Sequence, residues 1–279
     1  MTSHPQSNSP SRASTDRNAP IGVFDSGVGG LSVLADIRAL LPHEHFLYVA
    51  DSGYAPYGDK PPTYIAGRSV AITRFLIAHG AKAIVVACNT ATSAAVGTLR
   101  GQFTVPIVAM EPAVKPAVAT SKSGVIGVLA TTRTLASENL AQLKERFGAE
   151  ADILLQACPG LVERVEACDL RGDATRQLLE GFVRPLLQRG ADTLVLGCTH
   201  YPFLIPLLQD IAGPDVTIID PGPAVARELR RRLEMRQLLS DSTAAGRTRY
   251  WTSADPDHLK QVVKNFYADD IEVGTLPAA

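Results

Sequence analysis

At 279 residues the chain can bury a substantial core, as one large domain or two smaller ones. Hydrophobic residues make up 46% of it and charged residues 20%, an ordinary balance for a soluble globular protein. A formal net charge of −1 gives no electrostatic ground for binding nucleic acid or a membrane surface, and no apolar run approaches the roughly 20 residues that cross a bilayer.

The first 19 residues are polar and rich in Ser and Pro, without the apolar stretch of a signal peptide. They are expected to form a disordered extension outside the fold. Short apolar runs then predict strands at Ile21–Phe24, Phe46–Ala50, Ala83–Ala87, Ile107–Met110, Val125–Leu129, Ile153–Ala157, Thr193–Gly197 and Val216–Ile219. Most are nearly continuous, as suits strands covered on both faces of a parallel sheet. Amphipathic stretches lie between them. Leu31, Leu34, Arg38 and Leu41 recur at helical spacing before Pro42, and Val225, Leu229 and Leu233 share one helix face. The basic run "RELRRRLEMR" (227 to 236) reads as the solvated face of that second helix. Strand–helix alternation of this kind predicts an α/β fold.

The pattern also repeats. "IGVFDSG" begins at Ile21 and "IGVLATT" at Ile126, and each opening is followed by a strand ending in cysteine: "GAKAIVVACNTATS" (80 to 93) and "GADTLVLGCTHYPF" (190 to 203). Two similar α/β halves are therefore expected, joined near "MEPAVKPAVATSKSG" (110 to 124), which has the prolines and terminal Ser and Gly of a linker. The segment after Pro221 fits neither half and is expected to return to the first. The predicted division is 20–115 with 224–279 as the first domain and 116–223 as the second.

In open α/β sheets, ligands collect at the carboxyl ends of strands, near helix N-termini. Four polar clusters fall at such ends: Asp25–Ser26, Asp51–Ser52 with the loop "APYGDK", Cys88–Asn89–Thr90, and Cys198–Thr199–His200. If the halves face each other, all four border one cleft. "DSGVGGLS" (25 to 32) suggests a phosphate loop only weakly. Ser32 stands where a third glycine belongs, and no Gly-Lys-Ser/Thr follows. Gly27, Gly29 and Gly30 are more simply read as permitting a tight turn, and Asp25 as a possible helix cap.

The four cysteines lack CxxC spacing and a secretory context, which implies reduced thiols in a cytoplasm. Cys158 and Cys168 read as small buried hydrophobes. Cys88 and Cys198 differ, because each stands at a strand-to-helix transition where a helix N-terminus is expected to lower its pKa toward 7. That suits a general acid or base. Cys198-x-His200 could start a zinc site, but the paired ligand spacing is missing and no metal is expected. A Cys–His nucleophile would leave the second cysteine unexplained. Two thiols flanking one carbon suit removal of a proton from one face and delivery to the other, which inverts a stereocentre.

The stretches "IGVFDSGVGGLSVL" (21 to 34), "ADSGYAPYG" (50 to 58), "VACNTATSAA" (86 to 95), "VPIVAMEPAVKPA" (105 to 117) and "LGCTHYPFL" (196 to 204) carry a resemblance over about three quarters of the chain. It resembles the glutamate racemases, cofactor-independent enzymes of the aspartate/glutamate racemase superfamily. That resemblance implies interconversion of L- and D-glutamate without a cofactor, with D-glutamate supplied to peptidoglycan synthesis in a bacterial cytoplasm. It implies Cys88 and Cys198 as the catalytic pair, with Asp25 and His200 supporting the thiols. Asp25, Ser26, Tyr57, Gly58, Asn89, Thr90, Thr199 and His200 become substrate contacts, and Thr131 and Thr134 match the family's threonines less securely. It further implies two doubly wound parallel-sheet domains facing each other across a central cleft, the C-terminal segment returning to the first domain, and a possible homodimer. Nucleic acid and membrane are not expected partners. "YGDKPPTY" and "ACPGLVERVEA" depart from the family pattern in loop positions. Aspartate is the alternative substrate within the superfamily, and a non-catalytic phosphate- or nucleotide-binding module is the alternative from another class.

Overall fold

A computed structural model describes residues 16–267 and 271–277. Most of the expected N-terminal extension, residues 1–15, lies outside the described residues. In chain order the elements are β1 (Ile21–Asp25), α1 (Leu31–Leu40), β2 (Phe46–Ala50), two single 3₁₀ turns (Ser52–Tyr54 and Tyr57–Asp59), α2 (Pro62–Ala78), β3 (Ala83–Val86), α3 (Asn89–Gln102), β4 (Ile107–Ala109) and α4 (Val114–Thr120). There follow β5 (Val125–Ala130), α5 (Thr132–Leu135), α6 (Glu138–Phe147), β6 (Asp152–Ala157), α7 (Leu161–Glu166), α8 (Asp173–Gln188), β7 (Thr193–Gly197), a 3₁₀ turn (Tyr201–Leu204), α9 (Ile205–Ala212) and β8 (Thr217–Ile219). The chain ends with α10 (Gly222–Met235), β9 (Thr248–Thr252), α11 (Pro256–Tyr267) and β10 (Val273–Thr275).

These strands make two sheets, ordered β10-β9-β2-β1-β3-β4 and β6-β5-β7-β8, and every pairing is parallel. The order β2-β1-β3-β4 recurs as β6-β5-β7-β8, so the repeat in the sequence is a repeat of topology. β1 corresponds to β5, and β3 to β7. All eight expected strands are present. The stretch expected as a linker instead carries α4, whose Val114 and Ala117 are buried against the second sheet with Ile126 and Val195. Pro116 is tolerated there because it falls in the first turn, where its missing N–H has no partner to lose.

Residues of period two divide each sheet between two cores. Ile21, Val23 and Tyr48 face the core that contains Leu34, Val225, Leu229 and Val262, from α1, α10 and α11. Phe24, Leu47 and Val49 face Ile72, Leu76 and Leu99 from α2 and α3 on the other side. The second sheet is wound the same way, with α4 and α6 on one face and Leu179, Val183 and Leu207 of α8 and α9 on the other. The segment after Pro221 packs on the first sheet. α10 packs on α1, and β9 and β10 extend the edge beyond β2.

Where the chain leaves the second sheet, Asp220 stands one residue after β8 and meets Asp36 of α1. A Cβ on Gly222 would overlap Asp36 Oδ2, so a larger residue there would displace the carboxylate. Asp36 Oδ2 is buried without a hydrogen-bond partner, whereas Asp220 Oδ1 accepts from the Gly222 N–H at 2.8 Å. Burial, helped by the charge of Asp220, pushes the Asp36 carboxyl up to about 6. A carboxyl raised on folding contributes stability that is complete below its unfolded value and is lost as pH rises through its folded value. We therefore expect Asp36→Asn to raise the melting temperature at pH 7 to 8, and the gain to vanish near pH ~4, where an unfolded Asp is itself half protonated. Thermal denaturation across that pH range checks this; a gain independent of pH would remove the assignment.

Candidate active site

In each sheet the strand order reverses direction between the first and third strands of its half, leaving a crevice at their carboxyl ends. Ser26 follows β1 and Cys88 follows β3; Thr131 follows β5 and Cys198 follows β7. The two crevices face each other and enclose a cavity of about 80 Å³. Its wall includes Ser26, Tyr57, Gly58, Asn89, Thr90, Thr199 and His200 together with Cys88 and Cys198. Thr131 also lines it, whereas Asp25, Asp51, Ser52 and Thr134 do not; Asp25 lies behind Ser26, with no exposed surface.

Cys88 is the N-cap of α3, and the Ala91 N–H donates to its Sγ at 3.4 Å. The expected lowering of its pKa by the helix is therefore at work but is overwhelmed. Burial, with the nearby Asp25 carboxylate adding to it, pushes the thiol up to about 12. The Cys88 thiol donates to Ser26 Oγ at 3.7 Å, and Ser26 Oγ donates to Asp25 Oδ1 at 3.3 Å. Asp25 does not cap α1, whose N-cap is Gly30 without a side-chain bond. Its Oδ1 instead accepts the Gly27 N–H at 2.8 Å, and its Oδ2 accepts the Thr199 hydroxyl from the other half at 2.8 Å. Burial raises this carboxyl to about 6 against the lowering effect of His200 and these donors.

The second thiol is backed differently. His200 Nδ1 lies 3.8 Å from Cys198 Sγ, and His200 Nε2 donates to Glu166 Oε1 at 2.6 Å. Burial of the ring opposes its protonation, but the bonds to Cys198 and Glu166 outweigh burial and hold the imidazolium well above the usual histidine range. Glu166 is likewise penalised by burial, yet His200 and the Val28 N–H, which donates at 2.9 Å, lower its pKa.

The glycine loop explains why the halves can approach so closely. A Cβ on Gly27 would overlap the Glu166 carboxylate, and one on Gly29 would overlap His200 and Thr199. None of Gly27, Gly29 and Gly30 has positive φ, so the expected turn requirement gives way to a packing requirement. Gly160 does need a left-handed backbone, with φ 85, where the chain turns past the cavity into α7.

Asn89 is almost wholly buried, and neither its Oδ1 nor its Nδ2 has a partner in the protein. Such an amide in a cavity wall has both its donor and its acceptor free, and leaving them unsatisfied costs about 1–3 kcal/mol. Thr90 Oγ1 stands 3.1 Å from Thr131 Oγ1 and 3.3 Å from Thr134 Oγ1, so three hydroxyls close the site across the halves. Cys158 also lines the cavity, and burial pushes its thiol up to about 12. Cys168 is not in the wall. Among the described residues no group of three or more His, Cys, Asp or Glu side chains has the arrangement of a metal site.

A family profile described as Asp/Glu/Hydantoin racemase matches residues 22–229. A glutamate racemase from Pseudomonas entomophila is 57% identical over 263 residues, 94% of this chain and 99% of its own length. One from Methylococcus capsulatus is 59% identical over 264 residues, covering 95% and 97%. The chain belongs to the Asp/Glu racemase family. Among solved structures, a glutamate racemase isoform from Bacillus anthracis superposes with a TM-score of 0.86 at 30% identity, covering 94% of this chain and 98% of that one. The Escherichia coli glutamate racemase, solved with L-glutamate and the activator UDP-MurNAc-ala, gives a TM-score of 0.81 at 34% identity over 92% and 97%. Two similar α/β domains with a cleft between them are the family's fold.

Glu166 was not singled out in the sequence, where "VERVEACD" offers two glutamates on one helix and nothing to choose between them. The Glu166–His200 pair has a definite pH signature. A depressed Glu contributes stability above its unfolded value and loses it as pH falls through its folded one. A raised His contributes fully below its unfolded value and loses it as pH rises through its folded one. The pair is thus fully effective between pH ~4.5 and ~6.5. We expect the melting-temperature loss of Glu166→Gln to be greatest in that window and to shrink on both sides. A loss that is flat from pH 4 to 9 would show that the two groups do not titrate as a pair.

Proposed function

We propose that this chain interconverts L- and D-glutamate by proton transfer between two thiols, Cys88 and Cys198. The observation that carries this reading is their placement: equivalent strand ends of the two halves bring both cysteines to one cavity, each with its own hydrogen-bonded support. One thiolate removes the α-proton while the opposite thiol delivers another to the far face, and the roles exchange for the reverse reaction. Arrival of the substrate's ammonium group beside the buried thiols favours the thiolate, opposing the effect of burial on Cys88. Asn89 and Thr90, in the first turn of α3, are suited to holding a carboxylate while charge grows on the α-carbon. Ser26, Tyr57, Gly58, Thr199 and His200 complete the contact surface, and Asp25 and His200 support the thiols. This chemistry calls on no cofactor or metal.

D-glutamate for peptidoglycan, a bacterial cytoplasm and a homodimer belong to the same reading. No helix among the described residues is long and apolar enough to cross a membrane. The identity to glutamate racemases above 50% favours glutamate over aspartate.

In heavy water, early product should carry deuterium at the α-carbon while unconverted substrate stays protiated, because the proton removed and the proton delivered belong to different thiols. Unlabelled product would replace the pair with a single base. Cys88→Ala and Cys198→Ala should each abolish racemisation, whereas Cys168→Ala should stay active. The supporting residues should show the asymmetry of their settings. Asp25→Asn and His200→Asn are expected to lower kcat by on the order of 10²-fold, the scale of one acid–base contribution, with the two reaction directions affected unequally. Full turnover in both directions for both variants would make these residues structural.

A further inference from the structure

A second buried ionic cluster stands behind the cavity, and of its members the reaction as proposed draws only on Tyr57, as part of the contact surface. Asp51 follows β2 and has no exposed surface. Arg68, reaching across from α2, grips it with two bonds, Nη2 to Oδ1 at 2.7 Å and Nε to Oδ2 at 3.0 Å. The Tyr57 hydroxyl donates to the same Oδ2 at 2.5 Å. The guanidinium also stacks on one ring, its Cζ lying 3.7 Å from the centre of the Tyr54 ring. Neither Asp51 nor Arg68 reaches the cavity wall, but Tyr57 does, and so does Gly58 after it.

Three consequences follow from that geometry. The Tyr57 hydroxyl is committed to a carboxylate, so the residue offers the cavity its ring and backbone. Both Arg68 and Asp51 are buried, so neither charge can be removed alone without stranding the other. The segment they fix meets the second half: the Cβ position of Gly58 lies 3.5 Å from Thr131 Cβ. The place at which this wall meets the opposite half is therefore set by a bond network anchored on α2.

We propose that Arg68 is a positioning residue: by holding the Asp51 carboxylate under the Tyr57 hydroxyl, it fixes the Tyr57–Gly58 wall where it closes the cavity against Thr131. Arg68 acts through Asp51 and Tyr57 and touches neither substrate nor thiols. The effect falls on how tightly the cavity closes around its ligand rather than on proton transfer. Lysine does not substitute fully, because one ammonium cannot make the two parallel bonds of a guanidinium. The proposal rests on the reading that glutamate is turned over in this cavity.

The test is a double-mutant cycle in the full chain with Arg68→Met and Tyr57→Phe, measured with both glutamate enantiomers. Each single change should raise KM about tenfold, the scale of one hydrogen bond to a charged group, for both enantiomers alike and with kcat little changed. The double variant should be no worse than the poorer single one, because both changes cut the same chain of bonds. Arg68→Lys should recover part of the loss. A second readout does not depend on turnover: iodoacetamide should alkylate Cys88 faster in Arg68→Met and in Tyr57→Phe than in the wild type, and L-glutamate should protect the wild type best. If Arg68→Met does not fold, Arg68→Lys takes its place in the cycle. Multiplying effects on KM, or a Cys88 alkylation rate unchanged by both substitutions, would overturn the proposal. A wild-type protein inactive on glutamate would overturn the underlying reading instead, and the alkylation rates would still decide the role of Arg68.

Discussion

The fully buried Asp25 carboxylate is the constraint on which the site depends. It accepts hydrogen bonds from Gly27 and Ser26 of its own half and from Thr199 of the other, so it belongs to both. An isolated buried carboxylate is costly to keep ionised, and the upward displacement of its pKa reflects that cost. The donors that reduce the cost are the residues that also bracket the two thiols. Glu166 makes the reciprocal connection, reaching from the second half to the Val28 N–H of the first. These two polar links, with glycines admitting the close approach, register one half on the other.

The halves share a topology but not their chemistry. Behind Cys88 stands a hydroxyl leading to a carboxylate; behind Cys198 stands an imidazole leading to a carboxylate. Both arrangements can exchange a proton with a thiol, but they differ in charge. The serine branch is anionic when Asp25 is ionised, whereas the histidine branch is a neutral ion pair. A chiral substrate presents different groups to the two thiols in its two forms. A site with unequal branches can nevertheless serve both, since the unequal supports act on an unequal pair of ligands.

Much of this was legible in the sequence, and the limits were physical. The eight strands of the repeated core announced themselves as buried apolar runs. β9 was overlooked because "TRYWT" is short, partly exposed and follows a polar loop, although its aromatic and β-branched residues are a strand signal. β10 is shorter still. Cys88 and Cys198 stood out because a repeat doubled the signal, and the structure brings both, with polar residues that follow each, to one cavity. Glu166, Arg68 and the meeting of Thr90 with Thr131 and Thr134 were missed for a common reason. Each meets a partner at least 17 positions away in the chain, and local pattern carries no trace of such a partner. The acidity of Cys88 was misjudged because burial is a property of the closed cleft, whereas the helix end that opposes it is local.

The return of the C-terminal segment to the first sheet has a consequence for synthesis. Residues from α4 to β8 form a continuous stretch that contains the whole second sheet. That unit can assemble as soon as it leaves the ribosome. The first sheet cannot be completed until β9 and β10, made after the whole second sheet, have joined β2. Until then the β2 edge has unpaired backbone groups, and the face of α1 that α10 covers is open. The half made first is therefore the half finished last, and a nascent chain stalled before Thr248 would carry a closed second domain beside an open, aggregation-prone first one.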